Sequence, residues 1–186
     1  GRITVHGLII IVLLVKFLLD LPFRRQIPAI PDLQSVSQPL RDQITHMNGK
    51  AKRRPGADNL GQLGMVYHSS AYYDEAVQCY RLAAKKSKSK WLWDYYLGYI
   101  HKEMGESDAS IESFRSVIRK NPKVYHARYY LGEGYQNRNM NDKAEVSFKS
   151  IAGLKLKAAS SNKAVRNDYY PISTYGKYQL AQAYIN

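Results

Sequence analysis

Residues 61–80 read GQLGMVYHSSAYYDEAVQCY, and the same pattern returns as YYLGYIHKEMGESDASIESF at 95–114 and as YYLGEGYQNRNMNDKAEVSF at 129–148. The pair Leu-Gly, which stands at 63–64 in the first segment, recurs at intervals of 34 residues. In each segment a small residue follows that glycine by twelve positions and an aromatic residue follows it by sixteen. A period of this length predicts a repeated supersecondary unit that stacks on its neighbours.

Within each unit the pattern predicts two helices, A and B, packed against each other. The glycine and the small residue allow the two backbones to approach closely, and the aromatic residue is expected to fill the space between adjacent units. The predicted turns between A and B are Ser69-Ser70, Gly105-Glu106 and Asn139-Met140-Asn141. An aspartate is expected at each start of helix B, where the helix dipole favours a carboxylate: Asp74, Asp108 and Asp142.

These residues resemble the tetratricopeptide-repeat (TPR) pattern across roughly residues 57–156. The resemblance implies an all-α fold, a solenoid of helical hairpins with about 3.5 repeats. The predicted units are 57–90, 91–124 and 125–156, then an insert at 157–171 and the first helix of a fourth repeat at 172–186. Because a fourth unit of one helix leaves apolar surface uncovered, we expect a continuation of the chain or a partner at this end. The end-of-repeat proline is Pro122 in the second unit, but Lys88 and Leu156 replace it in the others.

The N-terminal segment is strongly apolar and reads ITVHGLIIIVLLVKFLLDL at 3–21. About 17 helical residues would span roughly 25 Å, close to the ~30 Å hydrocarbon core of a bilayer. Residues 1–22 are therefore predicted to form a transmembrane or signal-anchor helix. A helix buried in a soluble core and a cleaved signal peptide are the alternatives.

Residues 23–56 are predicted to be a proline-containing linker that acts as a semi-rigid spacer. Four prolines in and just before this segment are expected to forbid a continuous helix: Pro22, Pro28, Pro31 and Pro39. Ser37 is expected to cap a short helix near Pro39–Met47. The linker also contains a basic patch that is either a contact for anionic lipid or an acidic partner, or a solvated charge run: Lys50, Lys52, Arg53 and Arg54.

The composition argues against several classes of function. The single cysteine, Cys79, excludes an internal disulfide and a four-cysteine zinc site, and it is expected to be a small buried hydrophobe. The five histidines fall in no metal-ligand spacing, and His101 is expected to be a structural histidine of the repeat. No catalytic motif occurs, so we expect no enzyme activity, no cofactor and no metal. The net charge of +13 is dispersed, which argues against nucleic acid as a partner.

The chain has 16 tyrosines against 4 phenylalanines. In the TPR family the concave groove is lined mostly by helix A, and this resemblance implies a partner-binding groove of Met65, His68, Tyr95, Tyr99, Lys102, His126, Tyr129, Glu133, Gln136, Tyr175, Tyr178 and Gln182. Tyrosine offers a large contact area with only two side-chain torsions to immobilise. The alternative is that several of these tyrosines pack between helices. The family's carboxylate clamp is not expected, because its matching positions are Gly61, Met65, Tyr96, His126 and Tyr130.

These features together predict a membrane-anchored protein–protein interaction scaffold or accessory subunit. It would hold a partner protein beside the bilayer through its TPR groove, within a larger membrane complex. The alternative is a non-catalytic helical arm of a larger enzyme whose catalytic domain lies beyond residue 186. Lys16, Arg24 and Arg25 favour a cytoplasmic repeat domain. The resemblance of the whole arrangement to membrane-tethered bacterial TPR proteins instead implies the extracytoplasmic, periplasmic side.

Overall fold

A computed structural model describes residues 5–151, which form eight α-helices and no strand. The helices are α1 (Val5–Gln26), α2 (Gln38–Arg53), α3 (Ala57–Ser69), α4 (Tyr73–Lys86), α5 (Leu92–Glu103), α6 (Ser107–Lys120), α7 (Tyr125–Asn137) and α8 (Asn141–Lys149). The predicted all-α class of helical hairpins, preceded by an apolar helix, is confirmed. The predicted insert and fourth repeat lie outside the described residues. The chain divides into two compact units, Gly1–Trp93 and Asp94–Asn186.

Each hairpin pairs the glycine of its A helix with the aromatic residue of its B helix. In the α3–α4 hairpin, a Cβ placed on Gly64 would stand 2.8 Å from two carbons of the Tyr80 ring. In the α7–α8 hairpin, a Cβ on Gly132 would meet the Phe148 ring more closely still. Ring and glycine backbone therefore occupy adjoining space, which explains why these two residue types recur sixteen positions apart.

The same aromatic residues also contact the A helix that follows. Tyr80 stacks on Trp93 with ring centroids 6.5 Å apart, and Phe114 stacks on Tyr130 at 5.3 Å. Tyr80 and Phe114 are fully buried. The expectation that the aromatic residue fills the space between units is thus confirmed. The same ring also lies against the glycine of its own hairpin.

The turn between A and B helices has one conformation that repeats every 34 residues. Ala71, Gly105 and Asn139 have φ angles of 62°, 77° and 57°, all in the left-handed region. In the first hairpin the Tyr72 N–H donates to the Tyr67 carbonyl at 3.0 Å, and equivalent bonds close the other two turns. This is the Schellman arrangement that ends an α-helix. The sequence pattern predicts turns here but does not single out Ala71, because alanine is unusual at such a position.

The predicted helix B starts are also confirmed. Asp74, Asp108 and Asp142 all lie in the first turn of α4, α6 and α8. None of the residues at the preceding cap position makes a side-chain capping bond. The aspartates therefore complement the exposed N–H groups by charge rather than as caps.

Helix α1 leaves its apolar side chains uncovered. Leu8, Val12 and Leu18 are each more than half exposed, and no residue of α1 is buried. Within residues 5–151, α1 is the one helix that is both long enough and apolar enough to cross a membrane.

The expectation that Pro22 interrupts the helix is wrong, because α1 continues to Gln26. A side-chain amide from Gln26 donates to the Pro22 carbonyl at 3.0 Å in this last turn.

The predicted spacer is instead part of the first folded unit. Ile27 and Leu33 are buried, and Ile44 of α2 is fully buried. Asn48 of α2 donates from its amide to the Tyr67 hydroxyl at 3.3 Å, which ties α2 to α3. This segment packs because its apolar side chains have a hydrophobic face of α3 to cover. Ser37 is at the cap position of α2, without a side-chain bond, and the helix runs beyond the predicted 39–47 to Arg53.

Candidate partner-binding surface

Four of the predicted groove residues come together in the second unit. Tyr99 and Lys102 lie on α5, and Tyr129 and Glu133 lie on α7. The Lys102 ammonium is 3.6 Å from the Glu133 carboxylate, and 5.9 Å from the centroid of the Tyr99 ring. All four side chains are half-buried. We call this set the α5–α7 surface.

The core beneath the α5–α7 surface is aromatic. Tyr130 of α7 is 1% exposed, and its ring lies 5.6 Å from the rings of both Tyr99 and Tyr129 in edge-to-face geometry. Lys102 also lies over Tyr130, at 5.3 Å from the centroid. Edge-to-face packing and the cation–π contact limit the rotamers of these side chains. The surface is therefore largely preorganised.

The two surface tyrosines keep their protons at neutral pH. Burial, and then the negative charge of Glu103, raises the pKa of the Tyr99 hydroxyl. Burial, followed by the charge of Glu133, raises the pKa of Tyr129 as well. Both hydroxyls remain neutral hydrogen-bonding groups. Electrostatic contacts of the surface thus come from Lys102 and Glu133.

The remaining predicted groove residues of the second unit fall into different environments. Tyr95 is 2% exposed, so its assignment to a partner-contacting groove is wrong. Its ring packs edge-to-face on Phe114 at 5.8 Å, because this side of α5 faces α6 rather than solvent. His126 is half-buried, and burial lowers its pKa, which keeps the imidazole neutral at pH 7. Gln136 is exposed near the end of α7.

In the first unit the predicted groove residues are Met65 and His68. Met65 is half-buried on α3. The His68 Nδ1 is 3.3 Å from the Tyr80 hydroxyl, and its ring packs edge-to-face on Tyr73 at 5.9 Å. His68 therefore contributes to the packing of α3 on α4. The last three predicted residues, Tyr175, Tyr178 and Gln182, lie outside the described residues.

The predicted basic patch does not form one cluster. Lys50 is half-buried and its ammonium donates to the Gln62 side chain at 3.3 Å. Lys52, Arg53 and Arg54 are exposed at the end of α2. Two of these, Arg53 and Arg54, instead join basic residues from α1 and α4 around one pocket. This grouping is not evident in the sequence, because its members are far apart along the chain.

Two residues with chemically reactive side chains have structural roles, as predicted. Cys79 is fully buried, and burial raises the pKa of its thiol. His101 is 5% exposed, and its Nδ1 is 2.5 Å from a carboxylate oxygen of Glu106. No group of three or more His, Cys, Asp and Glu side chains that could hold a metal ion occurs within residues 5–151.

Two protein-family models described as tetratricopeptide repeat match residues 57–85 and 94–123. Among solved structures, the crystal structure of MamA is similar at 19% identity with a TM-score of 0.58, over 78% of this chain and 90% of that chain. A tetratricopeptide repeat protein from Parabacteroides merdae ATCC 43184 is similar at 16% identity with a TM-score of 0.56, over 78% of this chain and 54% of that chain. At these identities the likeness concerns the fold. No curated protein matches the sequence.

Proposed function

We propose that this chain, which the two repeat matches identify as a tetratricopeptide-repeat protein, holds a partner protein beside a membrane through the α5–α7 surface. Its repeats are a protein-interaction scaffold, a fold that is typically non-catalytic. The observation that carries the proposal is the grouping of Tyr99, Lys102, Tyr129 and Glu133 on two successive A helices. The proposed role is that of an accessory subunit in a membrane complex.

The chemistry of the α5–α7 surface suits a peptide segment of a partner protein. The rings of Tyr99 and Tyr129 offer apolar contact area at small entropic cost, since Tyr130 already holds them in place. Lys102 and Glu133 present opposite charges within 3.6 Å. A partner can then bind by apolar contact with the rings and be oriented by charge.

A charge exchange tests this surface without breaking its internal ion pair. In the variant Lys102→Glu/Glu133→Lys the pair persists with reversed polarity, so a partner oriented by charge binds more weakly. The matched control is Glu145→Lys/Lys149→Glu, which exchanges an exposed pair on α8. A third variant, Tyr99→Ala, removes contact area directly.

The measurement is affinity capture from a detergent extract of the native cells, with the full chain as bait. We expect the native chain and the α8 control to recover a stoichiometric partner, and the other two variants to lose most of it. Equal recovery by all four chains would contradict the surface assignment. Recovery of the bait alone would contradict the scaffold role. Circular dichroism of each variant shows whether its helices are retained.

In this proposal α1 is the membrane anchor. Its support is an apolar helix of 22 residues whose spanning window has a mean hydropathy of 2.2 and none of its residues buried. An unpaired apolar helix surface of this length is stabilised by hydrocarbon rather than by water. We place the repeats on the extracytoplasmic side of a bacterial membrane. Digestion of the repeats by protease in intact spheroplasts supports that side, and protection until lysis refutes it.

A further inference from the structure

A pocket of about 410 Å³ lies in the first unit where the C-terminal half of α1 meets the end of α2. Helix α1 contributes both apolar and basic lining residues, including Leu13, Phe17 and Arg24. Arg53 and Arg54, at the end of α2, also line it. The pocket thus combines apolar and strongly basic lining residues.

The charges around this pocket are mostly uncompensated. Among the described residues that line it, Asp20 is the one carboxylate, and it pairs with Lys86. The Lys86 ammonium also lies over the Phe23 ring, 4.1 Å from its centroid. Four further basic side chains line the pocket without a carboxylate to neutralise them: Lys16, Arg24, Arg53 and Arg54. Such a group attracts an anion.

The backbone that carries the two adjacent arginines is held in place by the pocket itself. Arg24 donates from Nη2 to the Arg53 carbonyl at 3.0 Å, and Asn59 donates from its amide to the Arg54 carbonyl at 2.8 Å. The Arg24 guanidinium is 5.0 Å from the centroid of Phe17. The contacts thus hold the Arg24 guanidinium and the backbone of Arg53 and Arg54, whose own side chains are exposed. A guanidinium group can bind phosphate oxygens in a bidentate manner, which an ammonium group cannot.

The apolar lining residues distinguish a lipid from a small anion. Leu13 and Phe17 are 60% and 49% exposed, so an inorganic phosphate would leave their surface in water. A phospholipid presents a phosphate directly beside apolar chains and so matches both the basic and the apolar lining residues. Arg24 follows Leu13 by eleven residues, which is about 16 Å along a helix. With Leu13 in hydrocarbon, Arg24 reaches the headgroup layer.

We infer that this pocket binds the phosphate of an anionic phospholipid and so fixes the first repeat against the membrane surface. The inference rests on the proposed anchoring by α1. Lys16, Arg24, Arg53 and Arg54 would provide the charge, and Leu13 and Phe17 would contact the chains. The chain would then have a defined orientation at the bilayer in addition to its anchor.

The test compares two charge-reduced variants of the full chain in a neutral detergent. Arg53→Gln/Arg54→Gln removes two charges from the pocket, and the matched control Arg81→Gln/Lys88→Gln removes two exposed charges outside it. The probe is a short-chain phosphatidylglycerol, followed by native mass spectrometry and by calorimetric titration. Short-chain phosphatidylcholine, inorganic phosphate and polyglutamate serve as comparison ligands.

We expect one phosphatidylglycerol per chain, with affinity reduced roughly 30-fold in the pocket variant, since each basic residue near an anionic lipid contributes about 1 kcal/mol. The control variant should change by less than about twofold. Equal loss in both variants would show general charge attraction and overturn the inference. Equal binding of phosphatidylcholine or of inorganic phosphate would overturn it as well, and displacement by polyglutamate would assign the pocket to an acidic protein instead.

Flotation with neutral vesicles separates this inference from the proposed anchoring. If the chain floats with phosphatidylcholine vesicles but does not bind phosphatidylglycerol in the titration, it has the anchor and lacks the lipid site. A chain that does not float with any vesicle lacks the anchor, and both proposals then fail.

Discussion

Replacing Gly64 with alanine should destabilise the first hairpin, although alanine is the better helix former. The new Cβ would stand 2.8 Å from two carbons of Tyr80 and 3.1 Å from the Cys79 Cβ. Comfortable carbon contacts are about 3.5–4.0 Å, so the ring must move by about 0.7 Å or more. Tyr80 is fully buried and its hydroxyl is 3.3 Å from His68, which leaves the ring little freedom to move.

The magnitude follows from two opposing effects. Overpacking of a dense core costs about 1–3 kcal/mol, and weakening the His68 bond costs about 1 kcal/mol more. The gain in helix propensity from Gly to Ala is about 1 kcal/mol. We therefore expect the free energy of unfolding to fall by about 1–3 kcal/mol in the Gly64→Ala variant.

Gly49→Ala is the matched control for this prediction. Gly49 also lies inside a helix, but its added Cβ meets only the far end of the Arg53 side chain, at 3.3 Å. That flexible group can move aside, so the control should gain up to about 1 kcal/mol. The assay is urea unfolding of the full chain in detergent, followed by tryptophan fluorescence. If Gly64→Ala is stabilised as much as Gly49→Ala, the argument that ring and glycine backbone compete for space is wrong.

Three further outcomes follow from individual side chains. Ala71 and Gly105 have left-handed φ angles of 62° and 77°, which glycine adopts more readily than alanine. Ala71→Gly should therefore raise the free energy of unfolding by about 0.5–1 kcal/mol, and Gly105→Ala should lower it by about 1–2 kcal/mol. Paired urea titrations measure both changes, and changes of the same sign would contradict the assignment of left-handed turns. Burial raises the pKa of the Tyr67 hydroxyl to about 12. The stability that the neutral hydroxyl contributes is therefore fully present below about pH 10, the pKa in the unfolded chain, and is lost as the pH rises toward 12. When unfolding is measured at stepped pH, the free energy of unfolding should decline less steeply in Tyr67→Phe than in the native chain. Cys79 is fully buried, and burial raises the pKa of its thiol. At pH 8 it should therefore react with a thiol reagent only as fast as the α3–α4 hairpin opens. Rapid labelling under native conditions would show that this hairpin is not closed.

The hairpins were predictable because their signals are local and repeat. The glycine, the aromatic residue and the first-turn aspartate recur every 34 residues. The glycine and the aspartate act within one hairpin, and the aromatic residue also contacts the next A helix along the chain. Local conformational rules then place helix ends within a few residues. Ala71 was the exception. Its φ angle is left-handed, like that of Gly105, but an alanine does not indicate this conformation in the sequence as a glycine does.

The proposed α5–α7 surface was predictable only in part. Tyr95 and Tyr99 are four residues apart and share one face of α5, so periodicity assigns both to the same surface. In the structure Tyr95 is 2% exposed and Tyr99 is half-buried, because α6 covers one end of that face. A helical period identifies a direction around the axis, and it contains no information about how far a neighbouring helix extends.

Sequence alone therefore establishes the all-α repeat, its period, and the single apolar helix before it. Tertiary structure decides which tyrosines remain accessible at the surface, that residues 27–53 pack on the first hairpin, and that Arg24 meets Arg53 across 29 positions of sequence. The physical reason is the range of the forces involved. Backbone conformation depends on adjacent residues, whereas burial and charge clustering depend on every segment that folding brings together.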